Sequence, residues 1–196
     1  MIVSEKPYKD TTDVMIRSSG ASSAVLASAT ALLGADLVVV TLSWDHPPSE
    51  GGIVTITFLM MISFVAFINV MHQVMRAEYL VSRIKVKGTE EKVLEKYTRE
   101  MFQITKWARI MHVTVLLFTM IAFWVISYKY LISLAGYHVV ILLLPFILFI
   151  LYWISKFVGI EKEVGFFSSG SLMQFSIQIV FLVLICLDFF KIITIP

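Results

Sequence analysis

The sequence predicts an all-α fold, a polytopic bundle of five transmembrane helices. Of the 196 residues, 58% are hydrophobic and the mean hydropathy is +0.86, whereas soluble domains are about 45–50% apolar. The apolar residues come in blocks of about 20, which is the length of helix that crosses a bilayer. The blocks do not alternate polar and apolar residues, which argues against a β-barrel. These observations indicate an integral membrane protein.

We expect the five spans to form a single transmembrane domain over residues 20–196. The spans are predicted at residues 20–42, 53–75, 107–131, 137–158 and 172–190. Residues 1–19 lack the basic n-region of a secretory signal, so we expect them to remain as an N-terminal segment on the cytoplasmic side.

The distribution of Lys and Arg predicts how the spans are oriented. Residues 76–106 contain eight of the 16 Lys and Arg residues, whereas residues 44–52 contain none. Because cytoplasmic loops carry the excess of Lys and Arg, residues 76–106 are predicted to be cytoplasmic. The N-terminus is then cytoplasmic and the C-terminus outside. Residues 129–137, with one Lys, are expected to form an outer loop. Residues 76–106 contain few helix breakers and are predicted to form a helical hairpin with Gly88 near its tip.

The composition also excludes several classes of function. The net charge is only +2, with no basic stripe for nucleic acid. A single cysteine, Cys186, excludes an intrachain disulfide and a CxxC motif. The sequence has no phosphate-binding loop, nucleophile elbow or zinc-binding motif. We therefore do not expect an enzyme.

The first span differs from the others because an acidic residue, Asp36, interrupts it. Residues 20–35 are mostly Gly, Ala and Ser, and such residues let helices approach closely. We therefore expect protein to surround this helix, with the other four spans facing lipid. On a helical projection one narrow face contains Asp36, Leu32, Ala29, Val25 and Ser22.

Two interpretations of Asp36 stay open at this point. In the first, the carboxylate is structural and bonds to a neighbour such as Asn69 or Gln73, or pairs with Lys129. In the second, copies of span 1 surround an axis and the carboxylates form a ring in water, as in many cation channels. A carboxylate at membrane depth is costly and is a candidate functional residue by default.

The segment "SAVLASATALLGADL" (23–37) resembles the pore-lining first helix of the Orai calcium channels. Ser23, Ala24 and Leu26 coincide with the family pattern, and Asp36 takes the place of the family's selectivity carboxylate, which is a Glu. The segment "LLPFILFILYWISKF" (143–157) is similar to the family's fourth helix, with Pro145 as its proline. The resemblance covers residues 20–158.

This resemblance implies a hexameric channel with Ca²⁺ as the bound or permeant ion. Asp36 would be the selectivity and metal ligand. The pore-lining and gate residues would be Leu32, Ala29, Val25 and Ser22, with Arg17 at the cytoplasmic pore end. The sequence departs from the family at the gate, where the family has Val and Phe in place of Leu32 and Ala29. The family has four spans, so the fifth has no counterpart.

Polar residues in the other spans suggest contacts within the bundle. Asn69, His72 and Gln73 lie in span 2 and His112 in span 3. They are expected to make polar contacts between helices. An alternative is that His72 and His112 ligate a b-type haem. In span 5, Asp188 and Lys191 have the i,i+3 spacing of an ion pair.

The sequence thus predicts an oligomeric, cation channel-like membrane protein with span 1 lining the pore. It is expected in the plasma or cytoplasmic membrane, with lipid and copies of itself as partners and no nucleic acid. No cofactor is expected apart from the cation. The alternatives are an accessory subunit of a larger membrane complex and a bis-His haem electron-transfer protein.

Overall fold

The computed structural model describes residues 6–84, 91–159 and 169–196. The regular structure in these ranges is α-helical, which confirms the predicted all-α class. The helices are α1 (Lys6–Asp45), α2 (Ile53–Ile84), α3 (Glu91–Ala135), α4 (Val139–Gly159) and α5 (Ser169–Phe189).

Within the described ranges, four helices are long and apolar enough to cross a membrane, which supports an integral membrane protein. Their qualifying segments are Leu26–Asp45, Ile53–Arg83, Glu95–Ala135 and Ser171–Phe189. The corresponding apolar part of α4, Val139–Ser155, is shorter. Pro145 lies inside α4.

The helices α2 and α3 continue beyond the predicted spans, as the lack of breakers in residues 76–106 suggested. α2 runs on to Ile84, and α3 already begins at Glu91. Gly88, the predicted tip, lies outside the described residues.

The end of α3 differs from the prediction, because residues 129–135 are helical and do not form a loop. The helix ends at Ala135 and is followed by Gly136, whose φ of +80° is a left-handed conformation. The Gly136 N–H donates to the Ile132 carbonyl at 2.8 Å, a common way to end a helix. Lys129 is therefore a buried helical residue.

The described residues fall into two compact units. Unit 1 takes its described residues from Met1–Gly34 and Ser63–Leu116, and unit 2 from Ala35–Ile62 and Leu117–Pro196. The helices α1, α2 and α3 contribute residues to both units.

The core of unit 1 consists of two apolar clusters. The buried residues of the first are Ala29, Ala66, Phe67, Val70, Val74 and Val115, and those of the second are Ala77, Leu80, Met101 and Ile104. The members from α2 recur every three or four residues, which places them on one face of that helix. The Ser63 hydroxyl donates to the Val115 carbonyl at 3.4 Å and links α2 to α3.

The core of unit 2 is larger and richer in aromatic residues. Its largest fully buried side chains include Trp124 and Tyr128 of α3. Trp124 meets Phe149 of α4 edge-on, with ring centroids 6.1 Å apart. Phe149 and Trp153 in turn pack on Phe175 of α5, at 5.5 and 5.3 Å. Such pairs contribute beyond area burial, and they fix α3, α4 and α5 around the polar groups described below.

Only one face of α1 is covered within unit 2. Asp36 and Ser43 are buried, whereas Leu37, Val38 and Leu42 are more than half exposed. The prediction that protein surrounds this helix is therefore not met in the single chain.

Candidate functional site

Asp36 is buried inside unit 2, with 3% of the residue exposed. The Thr119 hydroxyl of α3 donates a hydrogen bond to its Oδ2 at 3.0 Å. Of the structural partners proposed from the sequence, Asn69 instead donates to the Val65 carbonyl of its own helix at 2.9 Å. Lys129 pairs with a different carboxylate. Thr119 is thus a neighbour of Asp36 that sequence reasoning missed.

Asp36 and Thr119 line a cavity of about 510 Å³. The wall is mostly apolar and comes from α1, α2, α3 and α4. Besides Asp36 and Thr119, it is lined by Ala35, Val39, Met60, Met120, Phe123, Trp124, Leu148, Leu151, Tyr152 and Ser155. This cavity could not be predicted from the sequence, because its wall is assembled from segments far apart in the chain.

The other residues of the predicted pore face lie in unit 1. Ala29 is completely buried, and Leu32 is half-buried and packs against the same apolar cluster. The side chains of Ser22, Val25 and Arg17 lie outside the described part of the structure. Within one chain, the described members of this face are therefore covered by protein.

The predicted polar contacts of span 2 and span 3 also lie in unit 1. Asn69 and His72 are exposed, while Gln73 and His112 are half-buried. His72 lies between Val70 and Val74 in sequence, away from the buried face of α2 that these two residues define. The Nδ1 atom of His112 is buried and has no hydrogen-bond partner among the described residues. The proposed haem ligation stays a prediction.

A second buried polar group, which the sequence did not predict, joins α3 to the end of α5. The Lys129 Nζ atom lies 2.9 Å from Asp188, and the exposed fractions of the two side chains are 1% and 3%. Lys129 also donates to the Glu50 carbonyl at 2.9 Å, and the Tyr128 hydroxyl donates to Asp188 at 2.9 Å. Since both charges have partners, their burial is tolerated.

The segment after α5 completes this group. The Ile195 N–H donates to Asp188 Oδ1 at 2.7 Å, and the Thr55 N–H donates to the Pro196 carbonyl at 2.9 Å. The second bond satisfies a donor in the first turn of α2. Gly52 has a φ of +96° and lies against the Lys129 side chain.

The Asp188–Lys191 pair expected from the i,i+3 spacing is not the one that forms. Lys191 has a left-handed φ of 58° just after α5. Its ammonium lies 4.4 Å from the centre of the Tyr137 ring, a cation–π contact. The residue that neutralises Asp188 is Lys129, 59 positions away.

Tyr137 also links two loops. Its hydroxyl donates to Glu50 Oε2 at 2.8 Å. This hydrogen bond, together with partial burial and the Glu50 charge, raises the pKa of Tyr137 to about 12. The contact therefore persists throughout the neutral pH range.

A third polar group lies between α4 and α5. The Trp153 indole N–H donates to Gln178 Oε1 at 2.7 Å, and Gln174 donates to the Tyr152 hydroxyl. Gln178 is completely buried, and its Nε2 atom has no partner within the described ranges. These bonds fix Tyr152, one of the residues that line the cavity at Asp36.

The donors available for a metal are few. In the part of the chain that the structure describes, no three His, Cys, Asp or Glu side chains come together. Asp36 is thus a single carboxylate among hydroxyl groups and apolar side chains.

Comparisons with known proteins give no relative from which to transfer a function. No model of a protein family matches the sequence. Neither a curated protein nor a solved structure matches it. The similarity of residues 23–37 to the Orai first helix stays a prediction, and a functional proposal depends on the site itself.

Proposed function

We propose that this chain is a membrane protein that binds and conducts a cation, with Asp36 as the cation ligand. The observation that carries the proposal is the position of Asp36, whose buried carboxylate lines a cavity of its own unit. Acidic residues inside membrane helices are costly and are functional-site candidates by default, with ion pathways among their roles.

The site favours a ligand carboxylate that works inside the bundle of a single chain. A ring at an axis between copies requires Asp36 to face water that the copies share. Here Asp36 is covered within unit 2 and Ala29, on the same face, is covered within unit 1. The hexamer, the Ca²⁺ selectivity and the plasma or cytoplasmic membrane location stay predictions.

We further propose that α4 is a fifth span and that the termini lie on opposite sides. The whole of α4 has 21 residues. At about 1.5 Å per residue this length matches the roughly 30 Å hydrocarbon core of a bilayer. The Lys- and Arg-rich residues 76–106 then lie in the cytoplasm with the N-terminus.

Cation flux into liposomes containing the purified chain tests this function. Na⁺, Ca²⁺ and methylammonium are assayed separately with wild type, Asp36→Asn and Asp45→Asn. Asp45 is the matched control, because it lies on the same helix but is exposed. We expect Asp36→Asn to lower the flux of the permeant cation roughly tenfold, the loss that corresponds to about 1.4 kcal/mol. Asp45→Asn is expected to leave it unchanged. Equal flux through all three proteins would overturn the proposal.

A second candidate function is an accessory subunit of a larger complex. Phe102 is 74% exposed in the region proposed to be cytoplasmic. An apolar side chain exposed there is available for contact with a protein partner. Stoichiometric co-purification of another chain, lost in Phe102→Ser, would support this candidate, whereas a chain that purifies alone would count against it.

A further inference from the structure

A second apolar cavity in unit 2 shares part of its wall with the cavity at Asp36. The second cavity has a volume of about 640 Å³ and is lined from α1, α3 and α4. Val39, Phe123 and Leu148 line both cavities. Phe123 is 50% exposed and Leu151, which lines the first cavity, is 56% exposed. The two cavities are therefore neighbours with a shared apolar wall, and part of that lining is exposed at the surface of the helices.

The volumes fit an organic molecule. Sites for small organic ligands measure roughly 300–1,000 Å³ and combine apolar walls with a few polar groups that fix orientation. Here the polar residues that line the first cavity are Asp36, Thr119, Tyr152 and Ser155. In the second cavity the wall is again mostly apolar, with Leu131 and Leu144 among its members.

The same groups fit a bare metal ion poorly. Ca²⁺ takes about six to eight oxygen ligands, usually including several carboxylates. In the described ranges, Asp36 does not belong to any group of three or more His, Cys, Asp or Glu side chains that could hold a metal ion. An ammonium group needs fewer oxygen acceptors than Ca²⁺ does. Burial of the apolar groups attached to it is favourable, because they leave water.

Aromatic rings near the carboxylate add to this preference. Phe123, Trp124 and Tyr152 line the same cavity as Asp36. Ring faces attract cations, and Trp does so most strongly. A carboxylate and aromatic rings in one apolar cavity are complementary to a positive charge on an apolar body.

We infer that the two neighbouring cavities bind an amphiphilic amine, with its ammonium at Asp36 and its apolar body along the shared wall of Phe123 and Leu148. The inference rests on the proposed function, in which Asp36 is the cation ligand, and specifies the class of cation. The shared chemistry is a protonated amine on an apolar body, whether as a free amine or as the headgroup of an aminolipid.

Equilibrium binding of phenylbutylamine tests the inference. The protein is held in nanodiscs of phosphatidylcholine, and empty nanodiscs measure partition into lipid. Phenylbutanol, which has the same apolar body without the charge, is the matched neutral probe. We expect saturable binding of the amine and roughly tenfold weaker binding of the alcohol, as for the loss of one charged hydrogen bond.

Three variants locate the binding. Asp36→Asn is expected to weaken phenylbutylamine binding roughly tenfold, because it removes the charge and keeps the shape. Leu148→Trp is expected to abolish binding of both probes by filling the shared part of the cavities. Leu143→Trp is its control, since Leu143 is exposed on the same helix and lines neither cavity. If Leu148→Trp does not fold, competition between phenylbutylamine and phenylbutanol on the wild-type protein is measured instead, to test whether both probes bind at the same place.

The outcomes separate the inference from the proposed function. Equal amine affinity in wild type and Asp36→Asn overturns the inference, as does alcohol binding as tight as that of the amine. Flux that depends on Asp36 without saturable amine binding also overturns the inference and leaves the proposed function standing. Flux and binding that are both independent of Asp36 overturn both.

Nanodiscs containing phosphatidylethanolamine distinguish the two sources of the amine. Competition by this lipid with phenylbutylamine identifies an aminolipid as the occupant. Unchanged affinity for phenylbutylamine identifies a free amine. Either result supports the shared chemistry.

Discussion

Lys129 and Asp188 form an ion pair at 2.9 Å with almost no exposed surface on either side chain. The pair joins the C-terminal part of α3 to the end of α5. Removing one partner of such a pair leaves an uncompensated buried charge, whereas replacing both with apolar residues removes the problem.

Breaking this pair on one side is expected to destabilise the protein strongly. Lys129→Met should lower the free energy of unfolding by about 3–5 kcal/mol. Adding Asp188→Leu should recover part of this loss, because it removes the uncompensated charge but leaves the Tyr128 hydroxyl and the Ile195 N–H without their acceptor. Thermal and denaturant unfolding in detergent measure the effect. Lys191→Met is the control, because Lys191 is exposed and its ammonium makes a cation–π contact worth about 0.5–1 kcal/mol. If the double variant is no more stable than Lys129→Met alone, the loss of stability in Lys129→Met does not come from the uncompensated charge of Asp188.

Gly52 is expected to tolerate a side chain less well than Gly136 does. Both have left-handed φ angles, +96° and +80°, which cost about 1–2 kcal/mol for a residue with Cβ. A Cβ at Gly52 would also lie 2.9 Å from Lys129 Cγ, whereas nothing lies within 4 Å of one at Gly136. Gly52→Ala should therefore reduce stability more than Gly136→Ala in the same unfolding assay. Equal losses would mean that Gly52 does not contact the buried lysine.

The Glu50 carboxylate is expected to control the ionisation of Tyr137. The pKa of Tyr137 is about 12 because its hydroxyl donates to Glu50 and the nearby negative charge opposes a second one. Glu50→Gln removes that charge, so the pKa of Tyr137 should fall toward the ordinary value of about 10. The pKa of Tyr137 is measured by alkaline titration of tyrosinate absorbance. The titration curve of Tyr137→Phe is subtracted, so that the difference reports Tyr137 alone. A pKa that stays near 12 in Glu50→Gln would contradict the contact.

The all-α class and the presence of long apolar helices could be predicted, because the length and hydrophobicity of a membrane helix are local properties of the sequence. The end of α3 could not be predicted from local charge. Lys129 has the charge of a loop residue, but Asp188, 59 positions later, neutralises it inside the protein. The presence of opposite charges in two separate spans was the available signal for this pair.

The candidate site could be predicted only as a single residue. Asp36 stands out because a carboxylate is rare in a membrane helix. Its partner Thr119 is 83 residues away, and a threonine in a membrane helix is too common to be chosen by pattern. The cavity requires four helices to come together, so neither its apolar wall nor its volume has a local signature.

Disulfide trapping tests the central claim, that Asp36 acts within its own chain, most directly. Cys186→Ser removes the natural cysteine, and Asp36→Cys is then introduced alone and together with Thr119→Cys. After mild oxidation in membranes, we predict a disulfide within one chain for the double cysteine variant and monomers for Asp36→Cys alone. Efficient disulfide-linked dimers of Asp36→Cys alone would place this residue between copies at a shared axis and contradict the intrachain site.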